Sequence, residues 1–225
     1  VLMAGHTFLY NDAVKKLKSL VDDGDLGDLY YLNSRRVNLG QVRSDVNAWW
    51  NLAPHDVSIF LYLRDGQMPV SIQAGGSDFV QPGIEDVVFA TMTWADGVVG
   101  HIHVSWLDPL KAREVTLVGS KKMVVYDDID DRKIGVYDKR VERIPRIGDE
   151  MHFDGGVDYR IFHTSGDVQY PRFEFREPLS NEMEYFINCV NTGAAPASGG
   201  QHAIDVTRLL VAGNESLKSG QTISL

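Results

Sequence analysis

The pairing in this chain best suited to moving a proton is Asn51-Leu-Ala-Pro-His55-Asp56, a histidine four residues after an asparagine. An imidazole titrates near pH 6.5, so it can take a proton from a hydroxyl close to neutrality. An asparagine orients a hydroxyl but takes up no proton. Pro54 suits the first turn of a helix, and the apolar Val57, Phe60, Leu61 and Leu63 follow at near-helical spacing. These residues predict a helix opening at Pro54, with His55 beside the positive end of its dipole, which favours the neutral ring. If the helix already runs through Asn51, the two side chains share one face. A histidine capping the helix beside Asp56 is the other reading.

Just upstream, Arg36, Asn38, Arg43, Asp45 and Asn47 crowd a predicted strand end and the loop before the helix. The arginine fork matches phosphate or carboxylate, and asparagine both donates to and accepts from hydroxyls. A surface pair between Arg43 and Asp45 is the competing reading. His101 and His103 lie on one side of a predicted strand, but two ligands do not make a metal site, so no metal is expected. Lys111 and Arg113 either reach a phosphate or act as solubilising charges on a sheet edge, and the edge role is favoured. The Asp127-Asp-Ile-Asp-Asp131 cluster lacks the glycine and terminal glutamate of an EF-hand loop and reads as a solvated turn.

The elements that must position these residues follow from periodicity. Residues 1–6 read as a strand, and Asn11 caps a helix carrying Val14, Leu17, Leu20 and Val21, which Gly24 ends. Residues 28–39 form a strand that leads through a polar loop into the His55 helix. Strand patterns at 70–74, 87–94, 98–106, 114–118, 123–126 and 133–137 predict an antiparallel meander, with 159–162 and 172–175 as further candidates. Asn181 or Ser180 caps a helix to Thr192, and a second helix runs from about Gln201 to Ser219 before Gly220. The fold class is α+β, a large mostly antiparallel sheet with helices on one face.

With 225 residues, 44% of them apolar, the chain can bury a sizeable core. A net charge of −9 argues against a nucleic-acid surface. No apolar run approaches the roughly 20 residues that span a bilayer. The single cysteine, Cys189, sits in an apolar helical pattern, excludes an intrachain disulfide and fits a reducing cytoplasm. Neither a Gly-x-Gly-x-x-Gly turn nor a Gly-x-x-x-x-Gly-Lys-Ser/Thr loop occurs.

Gly5-His-Thr-Phe-Leu-Tyr-Asn-Asp-Ala-Val, Asn51-Leu-Ala-Pro-His-Asp and Glu177-Pro-Leu-Ser-Asn-Glu-Met-Glu-Tyr-Phe together resemble the Gfo/Idh/MocA oxidoreductases, which join a Rossmann domain to a C-terminal sheet domain. Within that family, Ser34-Arg-Arg-Val-Asn-Leu-Gly, Arg43-Ser-Asp-Val-Asn, His103-Val-Ser-Trp-Leu-Asp-Pro and Val118-Gly-Ser-Lys-Lys-Met-Val-Val-Tyr-Asp-Asp are similar to the branch oxidising the 3-hydroxyl of UDP-N-acetylglucosamine or its uronic acid. The resemblance implies that residues 1–10 are the last strand of a truncated Rossmann domain and that 11–225 form the substrate-binding and catalytic domain. It makes His55 the general base while a hydride leaves the same carbon for NAD or NADP. It gives Arg36, Asn38, Arg43, Asn47 and Asn51 to the sugar or nucleotide-sugar substrate, and places Tyr10 near the cofactor, where packing is the preferred role. It also implies a homo-oligomer formed through the sheet face. Much of the family has aspartate where this chain has Asn51, which removes a carboxylate from that position. The Gly-rich turn and a Glu-Lys-Pro motif are missing, so the chain should bind NAD poorly by itself. The alternative is a non-catalytic nucleotide-sugar-binding or oligomerisation module. Another sugar or inositol dehydrogenase would differ only in the loop from Arg36 to Asn47.

Overall fold

The computed structural model describes residues 1–145 and 159–225. Its centre is a nine-stranded sheet ordered β8-β7-β6-β5-β1-β4-β3-β2-β9. The strands are β1 (Leu29–Leu39), β2 (Ser71–Ser77), β3 (Val87–Thr93), β4 (Val99–Ser105), β5 (Leu107–Gly119), β6 (Met123–Asp127), β7 (Ile134–Pro145), β8 (Tyr159–Gln169) and β9 (Ile223–Ser224). Only β1 and β4 pair in parallel, and every other neighbouring pair is antiparallel. The mostly antiparallel α+β class therefore holds. The meander, however, is interrupted: β4 and β5 do not pair, because β1 lies between them and fills a ladder on each side. This central position turns one face of β1 toward the helices, so that Leu32, Ser34 and Arg36 are all buried.

Four helices accompany the sheet: α1 (Asp12–Asp22), α2 (Ala48–Leu63), α3 (Pro178–Thr192) and α4 (Gly200–Ser219). Asn11 caps α1 by accepting from the Ala13 N–H at 2.9 Å, as its sequence predicts. The cap of α2 is Asn47, which accepts from the Trp50 N–H at 3.0 Å, so the helix starts well before Pro54. Pro54 is thus inside the helix, where it leaves the Trp50 carbonyl without its usual donor. The α3 cap is Glu177 with Pro178 in the first turn, rather than Ser180 or Asn181. Residues 1–6 form no strand. Among the described residues no strand pairs with them, and the Ala4 N–H instead donates to the Ser198 carbonyl at 2.8 Å. A 3-10 turn, Thr7–Tyr10, follows. Residues 172–175 are likewise not a strand, whereas the candidate at 159–162 falls within β8.

The core lies between the sheet and α1, α2 and α4, with Trp49, Val57, Phe60 and Leu61 of α2 buried against Ile102, Val104 and Val88. The Trp49 indole donates to the Leu210 carbonyl at 2.9 Å, which joins α2 to α4. Inside this apolar layer sits one ionic group. Arg36 Nε donates to Asp56 Oδ2 at 2.8 Å, Arg36 Nη2 to Asp56 Oδ1 at 3.0 Å, and Ser34 Oγ to Asp56 Oδ1 at 2.7 Å. Three hydrogen bonds from β1 thus hold one carboxylate of α2. Asp56→Asn leaves the Arg36 charge buried and unmatched, which typically costs about 3–5 kcal/mol. Urea denaturation should show its midpoint shifted sharply down, whereas an unchanged midpoint would mean that the pair does not hold α2 on the sheet.

Candidate active site

The residue after His55 is the anchored Asp56, so the position of the imidazole is set by the α2–β1 ion pair. His55 lines a cavity of about 140 Å³ together with Phe8, Arg36, Val37, Asn38, Leu52, Lys111, Ala112 and Arg113. The Phe8 ring packs against the His55 ring, with 5.1 Å between centroids, and Arg36 Cζ lies 4.4 Å from the centroid of Phe8. His55 Nδ1 is buried without a hydrogen-bond partner among the described residues. Burial pushes the His55 pKa down to about 4, and the Arg36 guanidinium adds to the shift. The helix dipole is not the cause expected from sequence, because His55 is deep within α2 rather than at its start. At neutral pH the ring is an uncharged proton acceptor.

The cationic side of the cavity comes from β5. In the antiparallel register Arg113 lies directly opposite Arg36. Arg113 Nη1 reaches Asp128 Oδ2 at 3.4 Å, and Asp128 Oδ1 accepts from the Tyr126 hydroxyl at 2.9 Å. Asn11 Nδ2 donates to that same hydroxyl at 3.0 Å, so the α1 cap is tied to the residues around Arg113. The edge reading of Lys111 and Arg113 is corrected here, because β5 runs between β6 and β1 and both side chains line the His55 cavity.

Of the substrate residues expected from sequence, the fold brings Arg36 and Asn38 to His55 and keeps the others apart. Two of Arg36's nitrogens are already bonded to Asp56, so Arg36 works mainly as a fixed charge. Asn51 Oδ1 accepts from the Trp106 indole at 3.1 Å. Asn47 caps α2 and donates to Glu85 Oε2 at 2.6 Å, in a separate cavity with Asp45 and Lys218. Arg43 forms a two-bond surface pair with Asp45, at 2.9 and 2.6 Å. Tyr10 is buried, its hydroxyl 2.8 Å from Ser198 Oγ and its ring against Tyr185, an arrangement of packing. His101 and His103 face away from the helices, where Phe89 stacks on His103 at 4.3 Å. No group of three or more metal-ligating side chains occurs among the described residues. The Asp127–Asp131 segment is a turn in which Asp127 and Asp130 accept from the backbone N–H of Ile129 and Arg132. Phe8 is the cavity residue that periodicity did not single out; its signal was its place between Gly5-His6 and the Asn11 cap.

No helix among the described residues is long and apolar enough to cross a membrane. No curated protein matches the chain by sequence. Its fold matches an aldose-aldose oxidoreductase from Caulobacter crescentus complexed with glycerol, at 16% identity and a TM-score of 0.75, over 100% of this chain and 64% of that one. It also matches the WlbA dehydrogenase from Bordetella pertussis in complex with NADH and UDP-GlcNAcA, at 19% identity and a TM-score of 0.70, over 100% of this chain and 63% of that one. A third match is the UDP-N-acetylglucosamine 3-dehydrogenase GnnA from Acidithiobacillus ferrooxidans, at 19% identity and a TM-score of 0.69, over 97% of this chain and 63% of that one. The chain thus spans under two thirds of the length of these proteins. Residues 14–125 match the family model described as the GFO/IDH/MocA C-terminal domain, and the nine-stranded sheet with its helices is the α+β fold of that family.

Proposed function

We propose that this chain is the substrate-binding and proton-accepting part of an NAD(P)-dependent dehydrogenase that oxidises a hydroxyl of a sugar or nucleotide sugar. The 3-hydroxyl of UDP-N-acetylglucosamine or its uronic acid is the substrate that the motifs support best. The observation carrying this reading is the uncharged, half-buried imidazole of His55, held on a rigid helix in a cavity lined by cationic side chains. His55 takes the hydroxyl proton as the carbon is oxidised, and Asn38 is placed to bond a neighbouring hydroxyl. The nicotinamide, when bound, accepts the hydride. The His55 cavity, at about 140 Å³, is far smaller than a dinucleotide, so it takes the reacting part of the substrate rather than the cofactor. By the family resemblance, we assign the cofactor to a Rossmann portion rather than to this sheet domain. The WlbA dehydrogenase, whose fold this chain matches, is seen in complex with NADH and UDP-GlcNAcA, which supports a nicotinamide cofactor and a nucleotide-sugar substrate.

With that portion in place, His55→Ala should lower kcat/KM by about 10²–10⁴-fold, the usual worth of a general base, while leaving the fold intact. In the unmutated protein the rate limb assigned to this group should rise through about pH 4 and stay flat above it, because only the unprotonated ring accepts a proton. Near-normal turnover in His55→Ala contradicts the assignment.

A second reading, an oligomerisation module, is favoured by the sheet face turned away from the helices, where Tyr31 and Phe89 are exposed. The two readings are compatible if the face pairs two copies of the chain. Sedimentation velocity should then show a dimer that Phe89→Asp dissociates; a monomer in both cases removes this face as an interface.

A further inference from the structure

The β5 strand does not run evenly past the His55 cavity. Val37 faces Ala112 and Leu39 faces Leu107, so residues 108–111 bulge out of the ladder opposite Asn38 alone. A bulge of this kind re-aims side chains, and it tolerates the proline at position 109 that a regular central strand would not. The bulge is built rather than loose. Asp108 Oδ1 accepts from the Leu110 N–H at 3.0 Å, and Asp108 Oδ2 accepts from Arg35 Nη2 at 2.8 Å. Its last residue, Lys111, is delivered to the cavity wall beside Arg113.

The charge at this wall runs against the rest of the molecule. In a chain of net charge −9, the cavity lining holds Arg36, Lys111 and Arg113 and no carboxylate. Like charges directly opposite one another on paired strands are destabilising, as Arg36 and Arg113 are here. Asp56 neutralises Arg36 with two hydrogen bonds. Among the described residues, Arg113 has only the long 3.4 Å contact to Asp128. Lys111 is exposed and has no acceptor among the described residues. At about 140 Å³ the cavity has room for the equivalent of about four or five waters. That is enough for an oxyanion group with part of a sugar ring, and too little for a whole nucleotide.

We propose that Lys111 and Arg113 form an oxyanion-binding subsite beside His55, so that the compound oxidised here carries a carboxylate or phosphate next to its reacting ring. The proposal rests on the dehydrogenase reading above and narrows its substrate to anionic sugars. A lysine and an arginine converging on one anion supply charge-assisted hydrogen bonds, roughly twice as strong as neutral ones.

The test is calorimetric titration of the 225-residue chain at low salt with glucuronate, inorganic phosphate and glucose. At least one anion should bind, with glucose at least about tenfold weaker, and Lys111→Gln or Arg113→Gln should each lose about tenfold in anion affinity. Lys111 is exposed, so its substitution does not put folding at risk, and circular dichroism verifies this for both variants. Glucuronate binding without phosphate assigns the subsite to a sugar carboxylate, and the reverse assigns it to a phosphate; either upholds it. Failure of both anions to bind, equal binding of glucose, or undiminished binding by both variants overturns it. The outcome is separable from the redox reading. Anion binding with no dehydrogenase turnover once the Rossmann portion is in place would sink the redox reading alone, whereas turnover of neutral sugars by that protein, indifferent to Lys111→Gln, would sink the subsite alone.

Discussion

The structure depends on one buried carboxylate. Asp56 receives two hydrogen bonds from Arg36 and one from Ser34, and these bonds fix the height and rotation of α2 over β1. Taking both charges out of water carries a large desolvation penalty, which the attraction offsets with the help of donors on both carboxylate oxygens. In exchange the fold gains a definite register between helix and sheet. A purely apolar contact would tolerate sliding, but a bidentate pair does not. His55 inherits its position from that register, one residue along the same helix.

The same group sets the electrostatics of the cavity. Arg36 is held charged by its partner and so is a permanent cation near the imidazole, which adds to burial in keeping His55 neutral. Two further imidazoles lie close by. His6 and His202 meet edge to face at 5.3 Å, with Ser58 Oγ 3.0 Å from His202 Nε2. Burial, His202 and His55 together push the His6 pKa down to about 4 as well. The interior around α2 therefore favours uncharged imidazoles, while the guanidinium and ammonium groups collect on the β5 side.

Much of this was legible in the sequence. The alternation of the strands and the caps at Asn11 and Gly220 carried the sheet and three of the helices, because these signals are local. His55, Arg36 and Asn38 were picked out as types suited to proton transfer and anion binding, and the fold does bring them to one cavity. What was lost depended on partners far along the chain. The start of α2 was misplaced because Pro54 is a strong local signal for a first turn, whereas the true cap, Asn47, was read as a ligand. The insertion of β1 between β4 and β5 has no signature in either strand alone. Lys111 and Arg113 read as edge charges because nothing local shows that β5 is interior or that it bulges.

Proton transfer at this site turns on His55 being an uncharged acceptor held between a buried ion pair and a cationic wall. Its most direct test is titration of the His55 ring by NMR in this chain, with assignment by comparison with His55→Gln. A midpoint near pH 4, well below the ordinary 6.5, is the predicted result. A midpoint at or above 6.5 would show that the ring is neither buried nor under the influence of Arg36, and would contradict a ring held uncharged between the ion pair and the cationic wall.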